Sequence, residues 1–453
     1  MSSASWFGTD GMRGVFGEPP LDARTVESLG FELARLLGEA RVNPLVVIAG
    51  DTRDSTPMLI SWLAAGLARG GGRLRNAGIL PTPAVAELAR ALDAAAGIAV
   101  SASHNRWPDN GIKLVGADGF KWTVAREAEL ERRLRAALEG LAPSLDEALM
   151  TAPPQEAALR ARYRESLRAR LPAGKPLAGL RLILDAANGA ASNLAGEIFT
   201  ELGAATEVIH GEPDGRNINR DCGSMHPESL AERVVSAGAD LGFAFDGDAD
   251  RTILVDAQGQ VHDGDSMLFL WARDLAQRGE LSPAAIVATT MSNLGLERAL
   301  APHGIAVVRC DVGDRAVVET LRASALCLGG EQSGHLVCLS ASTTGDGLLT
   351  ALNMARLVAE RRQPIAALLA GFRRYPQLLR NLRVTRKQPF ESLPRVVEAR
   401  RFVESRLGTE GRLVLRYSGT EPLARIMIEG PDQATIEGLA GELEAAIVAE
   451  LGH

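Results

Sequence analysis

The stretch that decides the fold is Val100-Ser101-Ala102-Ser103-His104-Asn105, running on through Asp109-Asn110-Gly111-Ile112-Lys113. An apolar run from Gly97 to Val100 stops abruptly in small and polar residues, as a buried strand does at the edge of its sheet. A serine held at a strand end beside a base and a charge-stabilising group is a candidate nucleophile or phosphoryl carrier. His104 adjoins Ser103, and a turn of Pro108, Asp109, Asn110 and Gly111 can fold Lys113 back toward it. Taken alone, the stretch fits an ordinary strand-to-helix loop equally well; the surroundings decide.

Upstream, Leu45 to Ala49 reads as a buried strand ending in Gly50-Asp51-Thr52-Arg53-Asp54-Ser55. A helix from Thr56 to Arg69, a strand near Leu74 and a helix opened by Leu80-Pro81-Thr82-Pro83 lead to the serine strand. After a proline-rich connecting segment at 140 to 158, the layout returns. Strands Leu180 to Leu184, Thr206 to Ile209 and Leu241 to Phe245, with helices Ser192 to Leu202 and Pro227 to Ser236 between them, deliver Asp246-Gly247-Asp248-Ala249-Asp250-Arg251. A third pass through Ala285 to Ala288, Ile305 to Val308 and Ala325 to Leu328 delivers Gly330-Glu331-Gln332-Ser333-Gly334-His335.

This is an α/β chain with three similar βαβαβ-containing sheet domains, each presenting a polar loop after its third strand. Ligands bind beyond the carboxyl ends of such strands, so the domains are expected around a central cleft. From about Tyr375 the pattern changes to a smaller C-terminal α+β domain carrying Arg416-Tyr417-Ser418-Gly419-Thr420-Glu421-Pro422. Arginine, two hydroxyls and glycine-freed amides suit a phosphate, although a plain hairpin connection reads the same way. The expected domains are 1–152, 153–256, 257–372 and 373–453.

A chain of 453 residues exceeds one growing core, and its composition of 46% hydrophobic and 23% charged residues is that of a globular protein. A net charge of -7 with no basic run argues against a nucleic-acid partner. No uncharged run is long enough for a bilayer, and the first residues carry no apolar leader core, so a cytoplasmic protein with no membrane partner is expected. Cys222, Cys310, Cys327 and Cys338 form no CxxC pair, which fits reduced thiols. His210, His226, His262, His303 and His453 are too scattered to suggest a zinc site. Of 49 basic residues only Lys113, Lys121, Lys175 and Lys387 are lysine; Lys113 lies inside a motif, and the others read as surface residues.

Asp246, Asp248 and Asp250 can converge three hard oxygens on one cation, which suits Mg²⁺ better than zinc. A calcium EF-hand would require glycine and glutamate where Arg251 and Ala257 stand. An aspartyl nucleophile is disfavoured by the crowding of three carboxylates. Glu331 and Ser333 can bond sugar hydroxyls, and His335 can shuttle protons near its ordinary pKa. Arg13, between glycines in Phe7-Gly8-Thr9-Asp10-Gly11-Met12-Arg13-Gly14, can reach an anion.

The four motifs in this order resemble the α-D-phosphohexomutase superfamily over the whole chain, one motif per domain. Phe7 to Gly14, Met291 to Leu296, Val312 to Arg315 and Thr343 to Gly347 look like its bacterial branch that interconverts glucosamine 6-phosphate and glucosamine 1-phosphate. A glucose or mannose phosphate mutase is the alternative. The resemblance implies that Ser103 is a phosphoserine and that Asp246, Asp248, Asp250 and a phosphoserine oxygen hold one Mg²⁺. It further implies that Glu331 and Ser333 grip the sugar, and that Arg416, Ser418, Thr420 and Arg425 bind the non-reacting phosphate. By the same resemblance Lys113 is the general base, Arg13 and Arg251 stabilise charge, and a hexosamine 1,6-bisphosphate is activator and intermediate. A phosphosugar partner and a homodimer follow from it too. Two positions depart from the pattern: Arg106 stands where proline is usual, and Ala316 where tyrosine is usual.

Overall fold

A computed structural model describes residues 5–140, 153–418 and 422–452. Most of the expected connecting segment, Thr420 and His453 lie outside them. The chain clusters into two compact units, one of residues 1–289 and 310–370, the other of 290–309 and 371–453.

In the first unit, a six-stranded sheet runs in the order Phe7–Gly8, Gly11–Val15, Asp109–Gly116, Ala96–Val100, Leu45–Gly50, Arg73–Ile79. The last three strands are the expected parallel set. Asp109–Gly116 is antiparallel to the serine strand, with Lys113 opposite Ala99, so the polar stretch is the bend of a wide hairpin. Helix Thr56–Arg69 forms where its apolar spacing predicts, burying Leu59, Ile60, Leu63 and Leu67. Two further helices complete this layer. Ala23–Gly38 is capped by Asp22 and Val124–Glu139 by Thr123, and their Val26, Leu29, Leu33, Leu130 and Leu134 join one core. Ala23–Gly38 lies so close to Thr56–Arg69 that a Cβ on Gly66 would sit 1.9 Å from the carbonyl oxygen of Glu27.

The second sheet repeats the plan in the order Val261–His262, Thr252–Asp256, Leu241–Phe245, Arg181–Asp185, Ala205–Ile209. Its third parallel strand again faces an antiparallel fourth. In the third, Leu328–Gly330 pairs parallel with Ala285–Thr289 and antiparallel with Leu336–Cys338. A short hairpin through Gln258-Gly259 is legible in the sequence, but the antiparallel pairing of each returning fourth strand with the third is not.

Thr343 to Gly347 ties this unit together. Thr343 donates to the carbonyl of Gly119, and Asp346 caps helix Gly347–Arg361 through the Leu349 N–H while accepting from the Tyr163 hydroxyl at 2.9 Å. Burial pushes the Asp346 carboxyl up to about 6, against the pull of those two donors. With the folded pKa above the unfolded one, stability is full below the unfolded value and falls as pH rises through about 6. Asp346→Asn keeps a capping oxygen and removes the charge. Its stability relative to the parent, read from urea midpoints, is expected to grow from near zero at pH 4 to about 3 kcal/mol at pH 7. A difference that stays flat with pH contradicts this.

The second unit holds a three-stranded antiparallel sheet, Gln377–Arg383, Leu423–Glu429, Arg412–Tyr417 in that order, covered by helices Pro394–Leu407 and Gln433–Leu451. The excursion 290–309 is stitched to it. Asn293 exchanges hydrogen bonds with Tyr375, and buried Glu429 accepts from Leu294 N–H and pairs with Arg412. This unit therefore includes residues from the middle of the expected third domain.

Candidate active site

Ser103 sits in the bend after Ala96–Val100 with a left-handed backbone, φ 53°, and is buried. Its Oγ donates to Asp246 Oδ2 at 2.7 Å, so the loops after the third strands of the first and second sheets meet. A Cβ on Gly247 would lie 2.6 Å from the carbonyl oxygen of Ser103, which is why glycine follows Asp246. His104 Nδ1 lies 3.4 Å from Ser103 Oγ and 3.3 Å from Arg251 Nη1. Burial, with Arg251 and Arg13 nearby, lowers the His104 pKa and keeps the ring neutral.

Asp246, Asp248 and Asp250 are all buried, and each turns an oxygen to within 4.8 Å of the others. Asp248 Oδ1 and Asp250 Oδ1 are buried without a hydrogen-bond partner. Burial and the charges of Asp250 and Asp248 push Asp246 well above the carboxylate range. Hard oxygens, open lone pairs and mutual repulsion are what a divalent cation such as Mg²⁺ relieves, so the donor set fits it. Thr82 and Lys113 both donate to Asp248 Oδ2.

Lys113 is buried, with Nζ 2.8 Å from Asp248, 3.0 Å from Asp10 and 3.6 Å from Asp250. Burial opposes its charge, but Asp10, Asp248 and Asp250 raise its pKa well above the ordinary value. As an ammonium it neutralises part of the charge on the acidic loop. Lys121 is not the surface residue expected. It bridges Asp10 and Asp314, and Asp10 also pairs with Arg13. Arg251 lies 3.8 Å from Asp250.

The third loop lies in the same unit. Buried Glu331 accepts from Gly313 N–H at 3.0 Å, and Ser333 is exposed. His335 is fully enclosed: Nδ1 is 3.6 Å from Asp250, and Nε2 accepts from Gly345 N–H at 3.2 Å. Burial opposes charge on this ring, while Asp250, Asp314 and Glu331 push its pKa up to about 9. The Gly345 N–H, directed at Nε2, favours a lone pair there and so works against the charge that those carboxylates favour. Either way, a freely titrating shuttle near the ordinary histidine pKa, expected from sequence, does not fit a ring engaged at both nitrogens.

In the second unit, Arg416 and Arg425 are cross-strand partners, and Arg425 Nη2 lies 3.4 Å from Ser418 Oγ. Lys387 donates to the Ser418 carbonyl at 2.6 Å, a contact that nothing in the sequence signalled.

Histidines read as scattered include one that is not isolated. His210 Nδ1 lies 3.1 Å from Asp185 Oδ2, and Cys222 completes a group within 4.8 Å. Asp185 already accepts from Ala187 N–H and Gly223 N–H, so its carboxylate is committed to holding the loop.

Four phosphoglucomutase/phosphomannomutase domain models match in order: α/β/α domain I over residues 4–140, domain II over 161–259, domain III over 263–375 and the C-terminal domain over 379–446. Such a series defines the class, phosphohexomutases. A curated relative from Gluconacetobacter diazotrophicus, named phosphoglucosamine mutase, is 45% identical over 441 residues, covering 97% of each chain. The chain belongs to the phosphoglucosamine mutase branch of that family. Among solved structures, a phosphoglucomutase/phosphomannomutase family protein from Burkholderia thailandensis superposes with a TM-score of 0.80 at 25% identity, over 99% of this chain and 98% of its own. Aspergillus fumigatus N-acetylphosphoglucosamine mutase, solved with GlcNAc-6P and magnesium, shares the fold at a TM-score of 0.63 and 17% identity, over 98% and 96%.

Proposed function

We propose that the chain interconverts glucosamine 6-phosphate and glucosamine 1-phosphate in the cytoplasm, by way of phosphoserine 103 and a hexosamine 1,6-bisphosphate, supplying UDP-N-acetylglucosamine synthesis. The observation that carries the scheme is the 2.7 Å contact between Ser103 Oγ and the Asp246 carboxylate. It sets a hydroxyl that can hold a phosphoryl group against a site fit for a divalent cation. Asp246, Asp248 and Asp250, with a phosphoserine oxygen, would hold one Mg²⁺ per chain, which supplies charge neutralisation to a transferring phosphoryl group. The magnesium of the Aspergillus mutase supports that choice.

The chain's own residues do the rest. The Oγ–P bond of phosphoserine 103 breaks as a bond forms from phosphorus to O1 of the 6-phosphosugar. The O1 proton passes to the neutral His104, whose Nδ1 is 3.4 Å from Oγ, and His104 hands it on to the departing Oγ, which leaves as the Ser103 hydroxyl. Arg251 and Arg13 face the developing charge, and Lys113 balances the acidic loop. Glu331 and Ser333 bond the sugar hydroxyls, with His335 behind them. The bisphosphate then turns round; the bond from O6 to phosphorus breaks as one forms from phosphorus to Ser103 Oγ, and His104 takes the Oγ proton and gives it to O6.

Arg416, Ser418 and Arg425, with Thr420, clamp the phosphate that does not react. The facing arginines support this reading, and Arg416→Ala should raise KM for the phosphosugar roughly 10- to 100-fold. An unchanged KM in steady-state assays contradicts the clamp. The four expected domains divide the labour as phosphoserine, metal, sugar and phosphate segments. A homodimer, read from resemblance, belongs to the same proposal and is checked by sedimentation. Side-by-side kcat/KM on glucosamine, glucose and mannose 6-phosphates tests the substrate; preference for either neutral sugar overturns the assignment.

A further inference from the structure

Arg53 closes the Gly50-Asp51-Thr52-Arg53 turn after strand Leu45–Gly50 of the first sheet, and its side chain is wholly buried. Its Nε pairs with Asp51 Oδ2 at 2.9 Å. The remaining nitrogens turn onto backbone of the serine bend: Nη1 donates to the Arg106 carbonyl at 2.6 Å, and Nη2 to the carbonyls of Asn105 at 2.9 Å and Ser103 at 3.2 Å. Asp51 Oδ2 also accepts from Ser101 Oγ at 2.5 Å, and that hydroxyl accepts from the Ser103 N–H at 2.9 Å. From the second domain, Asn219 Nδ2 donates to two of the same carbonyls, Ser103 at 2.8 Å and Asn105 at 2.9 Å.

A buried ion pair that served only packing would account for the Asp51 contact. It would not account for one guanidinium converging on three carbonyls of a single bend, nor for a second donor arriving from another domain at two of them. The bend needs such a hold, because a left-handed backbone at a serine is disfavoured for any residue with a Cβ. Relaxation toward the ordinary regions would swing Oγ away from Asp246. Arg106 sharpens the point. A proline at this position would restrict the chain by itself; here the Arg53 bond to the Arg106 carbonyl supplies the restraint.

We infer that Arg53, oriented by Asp51 and joined by Asn219, is a positioning residue for phosphoryl transfer: it fixes the Ser103 bend so that Oγ stays on the metal-binding loop. This deepens the phosphoserine reading and rests on it. The test compares Arg53→Ala, Arg53→Lys and Asn219→Ala with the parent, each loaded with glucose 1,6-bisphosphate and assayed on glucosamine 6-phosphate. With circular dichroism unchanged, Arg53→Ala is expected to lose about 100-fold in kcat while KM moves less than about threefold. Millimolar guanidinium, but not the same concentration of sodium chloride, should recover about tenfold of that loss. Arg53→Lys should stay impaired, since an ammonium cannot reproduce the planar fork.

A folded Arg53→Ala protein with parental kcat, or one whose defect lies wholly in KM, overturns the inference. If Arg53→Ala does not fold, Asn219→Ala decides, and unchanged kcat there overturns it too. Ser103→Ala separates the two readings. Turnover retained in that variant removes the phosphoserine scheme itself, whereas an inactive Ser103→Ala beside a fully active Arg53→Ala removes the positioning role alone.

Discussion

Ser103→Ala is expected to lower mutase turnover by on the order of 10⁴-fold or more, with an unchanged circular dichroism spectrum. The hydroxyl is the only group removed, and it is the one that lies 2.7 Å from Asp246 and 3.4 Å from His104. Without it the phosphoryl group has no carrier, and the remaining charges have nothing to act upon. Alanine keeps the Cβ that the bend already accommodates, so the loop should hold its shape. Intact-mass measurement after incubation with a hexose bisphosphate should find the parent heavier by one phosphoryl group and the variant unchanged. A variant that still gains mass and retains more than about one part in a hundred of parental kcat would place the carrier elsewhere.

The second large effect is on stability. Lys113→Met leaves Asp10, Asp248 and Asp250 short of their shared cation in a buried site. Breaking such a group by removing one partner costs about 3–5 kcal/mol. The measurement is a urea midpoint in the presence of a chelator. Adding Mg²⁺ should shrink the deficit, because a cation at Asp248 and Asp250 does part of the work of the lost ammonium. A deficit below about 1 kcal/mol, or one indifferent to Mg²⁺, contradicts this account of Lys113. Activity should fall as well, but the chelated protein isolates the electrostatic part.

What could be read from sequence follows from where strands end. Apolar runs stopping at Ser103, Asp246 and Glu331 announced three sheet edges and their polar loops, and these residues lie in one compact unit. The acidic loop was legible because three like charges after a buried strand demand a cation. Partnerships across long separations were not. Lys121 looked like a surface lysine because its partners, Asp10 and Asp314, lie 111 and 193 positions away. Arg53 gave no signal, since a guanidinium spent on carbonyls leaves no complementary side chain in the sequence. The antiparallel fourth strand of the first sheet, Asp109–Gly116, is buried on both faces and so shows no alternation, and its Asp-Asn-Gly start reads as a turn. His335 seemed free to titrate only while Gly345 and Asp250 were out of view.

The backbone path through 290–309 bears on any attempt to divide this protein. The chain enters the second unit at Thr290, leaves after Arg309 and re-enters at Gly371. A fragment starting near residue 373 would therefore lack Asn293 and Leu294, and with them the partners of Tyr375 and Glu429. Its complement would carry those residues with nothing to receive them. The C-terminal unit is bound into the fold by three covalent passes, so it is not a module that can be cut off, swapped or borrowed at a single linker.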